Sequence, residues 1–298
     1  MAVAEIHNLC KSYGTKRAVS DLTFSLEEGE LLGLIGPNGA GKSSTIKMML
    51  DFMKPDSGDI SIFGGPMTEN TKNSIGYLPE ERGLYKKLSV NELIIYLATL
   101  KGMDKSGAKA KAEKLLRRTG MIDSKGSKIR ELSKGMSQMI QFIITIIHDP
   151  KLLILDEPFS GLDPVNTEIM KAIIADLRDE GKAIIFSTHQ MNQVEEICDR
   201  VLMIHQGSKV LYGDLKEVKG KFRTHSVLLN TDEEIGDLPG VLEMKPGKEF
   251  IELVLTPDVS PRDILDQLRE RNLTINRFEL KTPSLHEIFL TIAGVNHE

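Results

Sequence analysis

Apolar and polar residues alternate at Ala4, Ile6 and Leu9 and again at Leu22, Phe24 and Leu26, a period of two that predicts half-buried antiparallel strands. Farther on the pattern becomes continuous. Leu31-Leu32-Gly33-Leu34-Ile35, Leu152-Leu153-Ile154-Leu155 and Ala183-Ile184-Ile185-Phe186 are short unbroken apolar runs, as expected of parallel strands covered on both faces. A helix is predicted from Ser44 to near Pro55, and a short strand at Ile60-Ser61-Ile62-Phe63, closed by Gly64-Gly65-Pro66. Between about 89 and 148 the period turns helical, opening on the capping box Ser89-Val90-Asn91-Glu92. Asp163 can cap another helix with Pro164 at its first position, so strand, helix and strand form a right-handed crossover. Val201-Leu202-Met203-Ile204 and Lys209-Val210-Leu211-Tyr212, joined through Gln206-Gly207-Ser208, read as a hairpin. Past Asp214 come shorter strands, at Ser226–Leu229, Phe250–Leu255 and Ile275–Leu280, and helices opening at Ser260-Pro261 and at Ser284. The expected architecture is an α/β domain over residues 1–213 followed by a small α+β domain over 214–298. In the first, a mostly parallel sheet carries N-terminal antiparallel strands and a helical insert.

Composition narrows the function classes. With 298 residues, 40 % hydrophobic and 27 % charged, the chain can bury a large core. A net charge of −5 argues against a general nucleic-acid binder. The two cysteines, Cys10 and Cys198, fit a reducing compartment, and their spacing predicts no metal site. No segment reaches the roughly 18 uninterrupted apolar residues of a membrane span, and the first residues lack the pattern of a signal peptide. Any membrane role is therefore expected to pass through a partner.

The candidate chemistry starts after the first apolar run. Gly36-Pro37-Asn38-Gly39-Ala40-Gly41-Lys42-Ser43 fits G-x-x-x-x-G-K-S between a strand and a helix that continues through Ser44. Glycines let the loop curl so that successive N–H groups and the positive helix end face a phosphate chain. Lys42 can reach its β- and γ-phosphates and Ser43 can ligate Mg²⁺. The run at Leu152 ends in Asp156-Glu157, where an open parallel sheet places its ligands. Asp156 is expected to hold Mg²⁺ through its water shell, and Glu157 to polarise the water that attacks the γ-phosphate.

Three further motifs follow in order: Leu132-Ser133-Lys134-Gly135-Met136-Ser137-Gln138, Ser160-Gly161-Leu162-Asp163 and Ser187-Thr188-His189. With these, residues 1–213 resemble the ATP-binding subunit of ABC transporters, a P-loop NTPase of ABC type. The stretch from Tyr77 to Tyr85 and the appended C-terminal domain are similar to bacterial sodium- or drug-extrusion exporters. The resemblance implies that Ser133 and Gly135 bind the γ-phosphate held by a second ATP-binding subunit, in a homodimer or heterodimer, and that His189 touches the γ-phosphate. Tyr13 would stack on adenine, and Asp163 would lie in the loop linking the two sites. It further implies ATP and Mg²⁺ as cofactors, a separately encoded transmembrane permease, and a location on the inner face of the cell membrane.

Two departures bear on the chemistry. Glu80 stands where the family has glutamine, adding a negative charge that can either ligate Mg²⁺ or repel phosphate; Lys134 and Met136 replace the usual glycine and glutamine of the signature. The expected function is an ATPase that powers an exporter of ions or of drug-like or peptide cargo. The alternatives are a soluble ABC-type ATPase and a nucleotide-gated interaction module, which an ATPase assay separates.

Overall fold

The computed structural model describes residues 2–81, 83–222 and 225–293, and the chain divides into two compact units, Met1–Leu215 and Lys216–Glu298. In the first, β1 (Ala2–Tyr13), β2 (Lys16–Glu27) and β3 (Leu31–Ile35) lead into α1 (Lys42–Met49). There follow β4 (Ser57–Ile62), α2 (Glu69–Asn73) and β5 (Ile75–Leu78), then the helical insert of α3 (Val90–Leu100), α4 (Lys105–Arg118) and α5 (Lys134–Ile146). The unit finishes through β6 (Leu152–Asp156), α6 (Pro164–Asp179), β7 (Ala183–Thr188), α7 (Met191–Ile197), β8 (Arg200–His205) and β9 (Ser208–Asp214). The second unit holds α8 (Leu215–Lys221, which begins on the last residue of the first), β10 (Ser226–Asn230), β11 (Val241–Pro246), β12 (Ile251–Leu255), α9 (Pro261–Glu270), β13 (Arg277–Leu280) and α10 (Leu285–Ala293).

Nine strands form one sheet in the order β4-β1-β2-β9-β8-β3-β7-β6-β5. Its N-terminal side is antiparallel, as the period-two segments predict, whereas β3, β5, β6 and β7 run parallel. Register decides what this achieves. Ile35 lies opposite Thr188, Asp156 opposite Ser187 and Leu78 opposite Leu155, so four strands end on one line. The continuous apolar runs are buried throughout, and Leu32, Leu34, Ile154 and Ile185 share one core with Ile46 and Met49 of α1. Each such side chain contributes about 1.5–3 kcal/mol through removal from water, which fixes α1 against the strand ends.

Local signals account for the helix starts. Ser89 and Glu92 make the reciprocal capping box of α3, and Asp163 accepts from the Asn166 N–H at the start of α6, with Pro164 in the first turn. The helix from the phosphate loop, in contrast, stops at Met49 instead of reaching Pro55. Asp51 adopts φ 60°, its N–H donates to Met48 O and that of Phe52 to Lys47 O, a left-handed cap that closes the last turn. Aspartate tolerates this conformation better than most residues, so the helix ends well short of the proline, with its left-handed cap at Asp51.

The second unit is a four-stranded antiparallel sheet, order β11-β12-β10-β13, with a core of Val227, Leu229, Leu253 and Leu255 against Ile264 and Leu268 of α9. Arg262, Asp263, Arg269 and Glu270 lie exposed on that helix, the solvated face of an amphipathic stripe. β11 escapes the sequence pattern because it is an edge strand that ends in proline and has no fully buried residue, only Val241 and Met244 packing partly on the core.

β5 comes close to its neighbours at Gly76, where an added Cβ would stand 2.5 Å from Thr145 O and 2.7 Å from Leu153 Cδ2. Gly76→Ala is expected to lower stability by about 1–3 kcal/mol, read as a lower denaturant midpoint at unchanged slope.

Candidate nucleotide site

Beyond Ile35 the backbone leaves the sheet through residues that only glycine accommodates. Gly36 and Gly41 have φ 154° and 114°, and a Cβ would come within 2.2 Å of Ile204 O at the first and 2.4 Å of Ala18 O at the second. The loop is thus wedged between β8 and β2. α1 then begins without any side-chain cap, and its first residues, Lys42, Ser43 and Ser44, line the cavity. Lys42 curls back across it, its Nζ donating to Gly36 O at 2.7 Å and Pro37 O at 3.3 Å. These features bound a cavity of about 380 Å³, lined by residues 38–44 together with Tyr13, Lys16, Glu80, Asp156 and Glu157.

The acids reach this cavity because β6 and β5 end beside β3. Asp156 is buried at the last position of β6, and burial pushes its carboxyl above the usual carboxylate range, with the charges of Glu80 and Glu157 adding to the shift. Burial pushes the Lys42 ammonium down, while Glu157, Asp156 and Glu80 act in the opposite sense. Lys42 therefore feels three carboxylates. Among the described residues no group of three His, Cys, Asp or Glu side chains converges to hold a metal alone. Mg²⁺ suits this arrangement, since it takes hard oxygen ligands from one or two carboxylates and keeps the rest for water and phosphate. The uncapped helix end and glycine-only cradle fit a phosphate chain on equal grounds.

Glu157 sits in an unusual backbone state. Its φ is 48°, left-handed for a residue with a side chain, and its N–H donates to Ser187 O at 2.9 Å. The carboxylate is then fixed by the last residue of β7 and the one after it: the His189 N–H donates to Oε1 at 2.9 Å, the His189 ring Nδ1 lies 2.6 Å from the same oxygen, and the Thr188 hydroxyl is 3.1 Å from Oε2. Such strain persists only where several contacts determine it.

Tyr13 projects half-exposed from the end of β1, its hydroxyl 3.0 Å from Met53 Sδ and 3.5 Å from Ser44 Oγ. Ser133 caps α5, accepting from the Met136 N–H at 3.1 Å, and is exposed. Gly135 is packed so that an added Cβ would stand 2.9 Å from Gly161 O, which seats the first turn of α5 beside the loop leading to Asp163. Ser133 and Gly135 do not line the cavity of their own chain. Tyr13, Glu80, Asp156, Glu157 and the loop with Lys42, Ser43 and Ser44 are brought together; His189 joins them through Glu157.

Two participants carry no assigned role in the sequence reading, Lys16 outside its motifs and Thr188 within one. Lys16, opposite Tyr13 across the β1–β2 turn, lines the cavity, and Thr188 supports Glu157. The hairpin pairing of Tyr13 with Lys16 is the signal for the first; the second needs the register of β6 against β7.

Comparison with known proteins agrees with this geometry. A family model described as ABC transporter matches residues 19–160, and one described as the C-terminal domain of ATP-binding proteins of DrrA1-3 type matches residues 213–293. The chain is 40% identical over 296 residues to the uncharacterized ABC transporter ATP-binding protein YhaQ of Bacillus subtilis (strain 168), covering 98% of this chain and 99% of the relative. It is 30% identical over 304 residues to the linearmycin resistance ATP-binding protein LnrL of the same organism, covering 97% and 98% respectively. A solved structure described as the ATP-binding subunit of an ABC transporter superposes with a TM-score of 0.69 at 32% identity, covering 74% of this chain and 93% of that one. The chain belongs to the ABC transporter ATP-binding proteins, an ATP-hydrolysing subunit that uses ATP with Mg²⁺ and works with a separate membrane partner.

Proposed function

We propose that two such subunits close around two ATP molecules, each held by the phosphate loop of one copy and the α5 tip of the other, and that closure drives export through the membrane subunit. The observation that carries this is the separation within one chain: a cavity with an open helix end and three acids, and an exposed capped serine that does not line it. A second helix N-terminus supplies the donors that one chain lacks. In this reading Gly36, Pro37, Asn38, Gly39, Ala40, Gly41, Lys42, Ser43 and Ser44 bind the phosphates and Tyr13 packs on adenine. Ser43, Asp156 and Glu80 serve as oxygen donors for Mg²⁺, which when bound neutralises charge on the phosphates. Glu157 polarises the attacking water, and His189, beside the Glu157 carboxylate, touches the γ-phosphate. Contacts made only in the closed pair favour it, and a shift from 1:99 to 99:1 closed requires about 5.5 kcal/mol of such preference.

Coupling to the membrane subunit has a second site. A groove of about 440 Å³ between the sheet domain and the helical insert is lined by Leu50, Phe52, Tyr77, Leu97, Leu100 and Ile144, among others. Phe52 and Leu100 are 65% and 62% exposed, large apolar surfaces at its rim. An apolar helix end of the membrane partner suits it, which would place the chain on the inner face of the membrane; no helix among the described residues is long and apolar enough to cross one. Resistance to linearmycin, the role in the relative's name, supports outward transport of a drug-like cargo. Residues 214–298 form the accessory domain in this proposal, and 1–213 the motor.

Lys42→Ala is expected to lose ATP affinity and turnover together, checked by nucleotide titration beside an ATPase assay; retained affinity would contradict its role. Glu157→Gln is expected to bind ATP, lose turnover and accumulate as dimer, seen by size-exclusion chromatography with light scattering. Leu100→Glu is expected to leave the ATPase of the isolated subunit unchanged and to abolish its association with the membrane subunit in co-purification.

A further inference from the structure

Helix α5 begins at Ser133, and deeper along it lies a stripe of polar side chains in an otherwise apolar helix. Gln138, fully buried, donates from Nε2 to Pro158 O at 2.9 Å. Gln141, 5% exposed, places Nε2 3.3 Å from Pro79 O and 3.4 Å from Glu81 O. One turn on, the Thr145 hydroxyl donates to Gln141 O at 2.9 Å and lies 3.3 Å from Tyr77 O. Spacings of three and four residues put these groups on one face of the helix. Burying an amide costs free energy unless it is hydrogen-bonded, and a leucine or methionine would fill the same volume without that cost.

The partners of these side chains are specific. Pro158 directly follows Glu157, and Pro79 and Glu81 flank Glu80. Glu157 keeps its left-handed backbone because every group around it is tied: its N–H to Ser187 O, its carboxylate to β7, its carbonyl to the Ser160 N–H at 3.1 Å. Gln138 fixes the next carbonyl along. The helix thus presents Ser133 outward from its first turn and, within its second and third, grips the two turns that carry acids of the cavity.

We propose that Gln138 and Gln141 are positioning residues for ATP hydrolysis, holding the Glu157 and Glu80 turns at a fixed offset from the Ser133 tip. The water-polarising carboxylate of a chain is thereby tied to the helix that reaches its twin's nucleotide. This rests on the roles given above to Glu157 and Ser133.

The test compares ATP hydrolysis and ATP binding by the full chain in the wild type and in Glu157→Gln, Gln138→Met, Gln138→Glu and Gln141→Met. Gln138→Met is expected to lower kcat on the order of 10- to 100-fold, because a misplacement near 1 Å has that effect, with KM and Kd for ATP held within about twofold. Gln141→Met is expected to lower kcat and to raise the Mg²⁺ concentration giving half-maximal rate. A glutamate at 138 can donate to Pro158 O only while protonated, which burial favours. Gln138→Glu should accordingly retain more activity than Gln138→Met, and its kcat relative to wild type should rise as pH falls. A merely space-filling side chain would produce no such pH profile. Should Gln138→Met fail to fold, the Gln138→Glu profile and the Gln141→Met split between kcat and ATP affinity decide. Wild-type kcat in Gln138→Met, or equal activity of the Met and Glu variants at every pH, overturns the inference alone when Glu157→Gln is inactive. An active Glu157→Gln removes the reading of the site and the inference with it.

Discussion

The parallel register of β3, β5, β6 and β7 is the constraint on which the site depends. Hydrogen bonding that sets Ile35 against Thr188, Asp156 against Ser187 and Leu78 against Leu155 makes four chain segments leave the sheet at one level. Each then delivers one component: a phosphate cradle after β3, Glu80 after β5, Asp156 and Glu157 at the end of β6, His189 after β7. Because side chains along a strand alternate in direction, a slip of one residue in β6 would turn Asp156 away from the cavity. The apolar runs that bury these strands are thus also what aligns the acids.

Charge and backbone strain concentrate where that alignment converges. Three carboxylates act on Lys42 and on one another, an arrangement whose repulsion a divalent cation relieves. Glu157 carries a left-handed backbone and a carboxylate held from three directions, so its position is prepared before any nucleotide arrives. The glycines of the loop serve the same end. Gly36 and Gly41 let the cradle press against Ile204 O and Ala18 O, where any side chain would push it off the strand ends.

Much of this was legible in the sequence, for identifiable reasons. Period-two and continuous apolar segments separated the antiparallel strands from the parallel ones, and Ser89, Asp163 and Ser260 marked helix starts that the structure caps as expected. The cavity residues Lys42, Ser43, Asp156 and Glu157 stood in contiguous motifs. What escaped depends on contacts distant in sequence. The left-handed stop at Asp51 lacks a glycine, β11 has no fully buried residue, Lys16 lies outside every motif, and Thr188 and Gln138, though within motifs, acquire their roles only through strand pairing or helix packing.

The account stands on the claim that the α5 tip of one copy meets the phosphate loop of another when ATP is present. Spin labels on Lys134→Cys in one copy and Lys47→Cys in a second, both exposed positions, in a background lacking Cys10 and Cys198, report this approach by pulsed electron resonance. A short, narrow inter-copy distance that forms with ATP and disappears without it is the predicted result. Absence of any inter-copy distance, or one indifferent to ATP, would contradict the account.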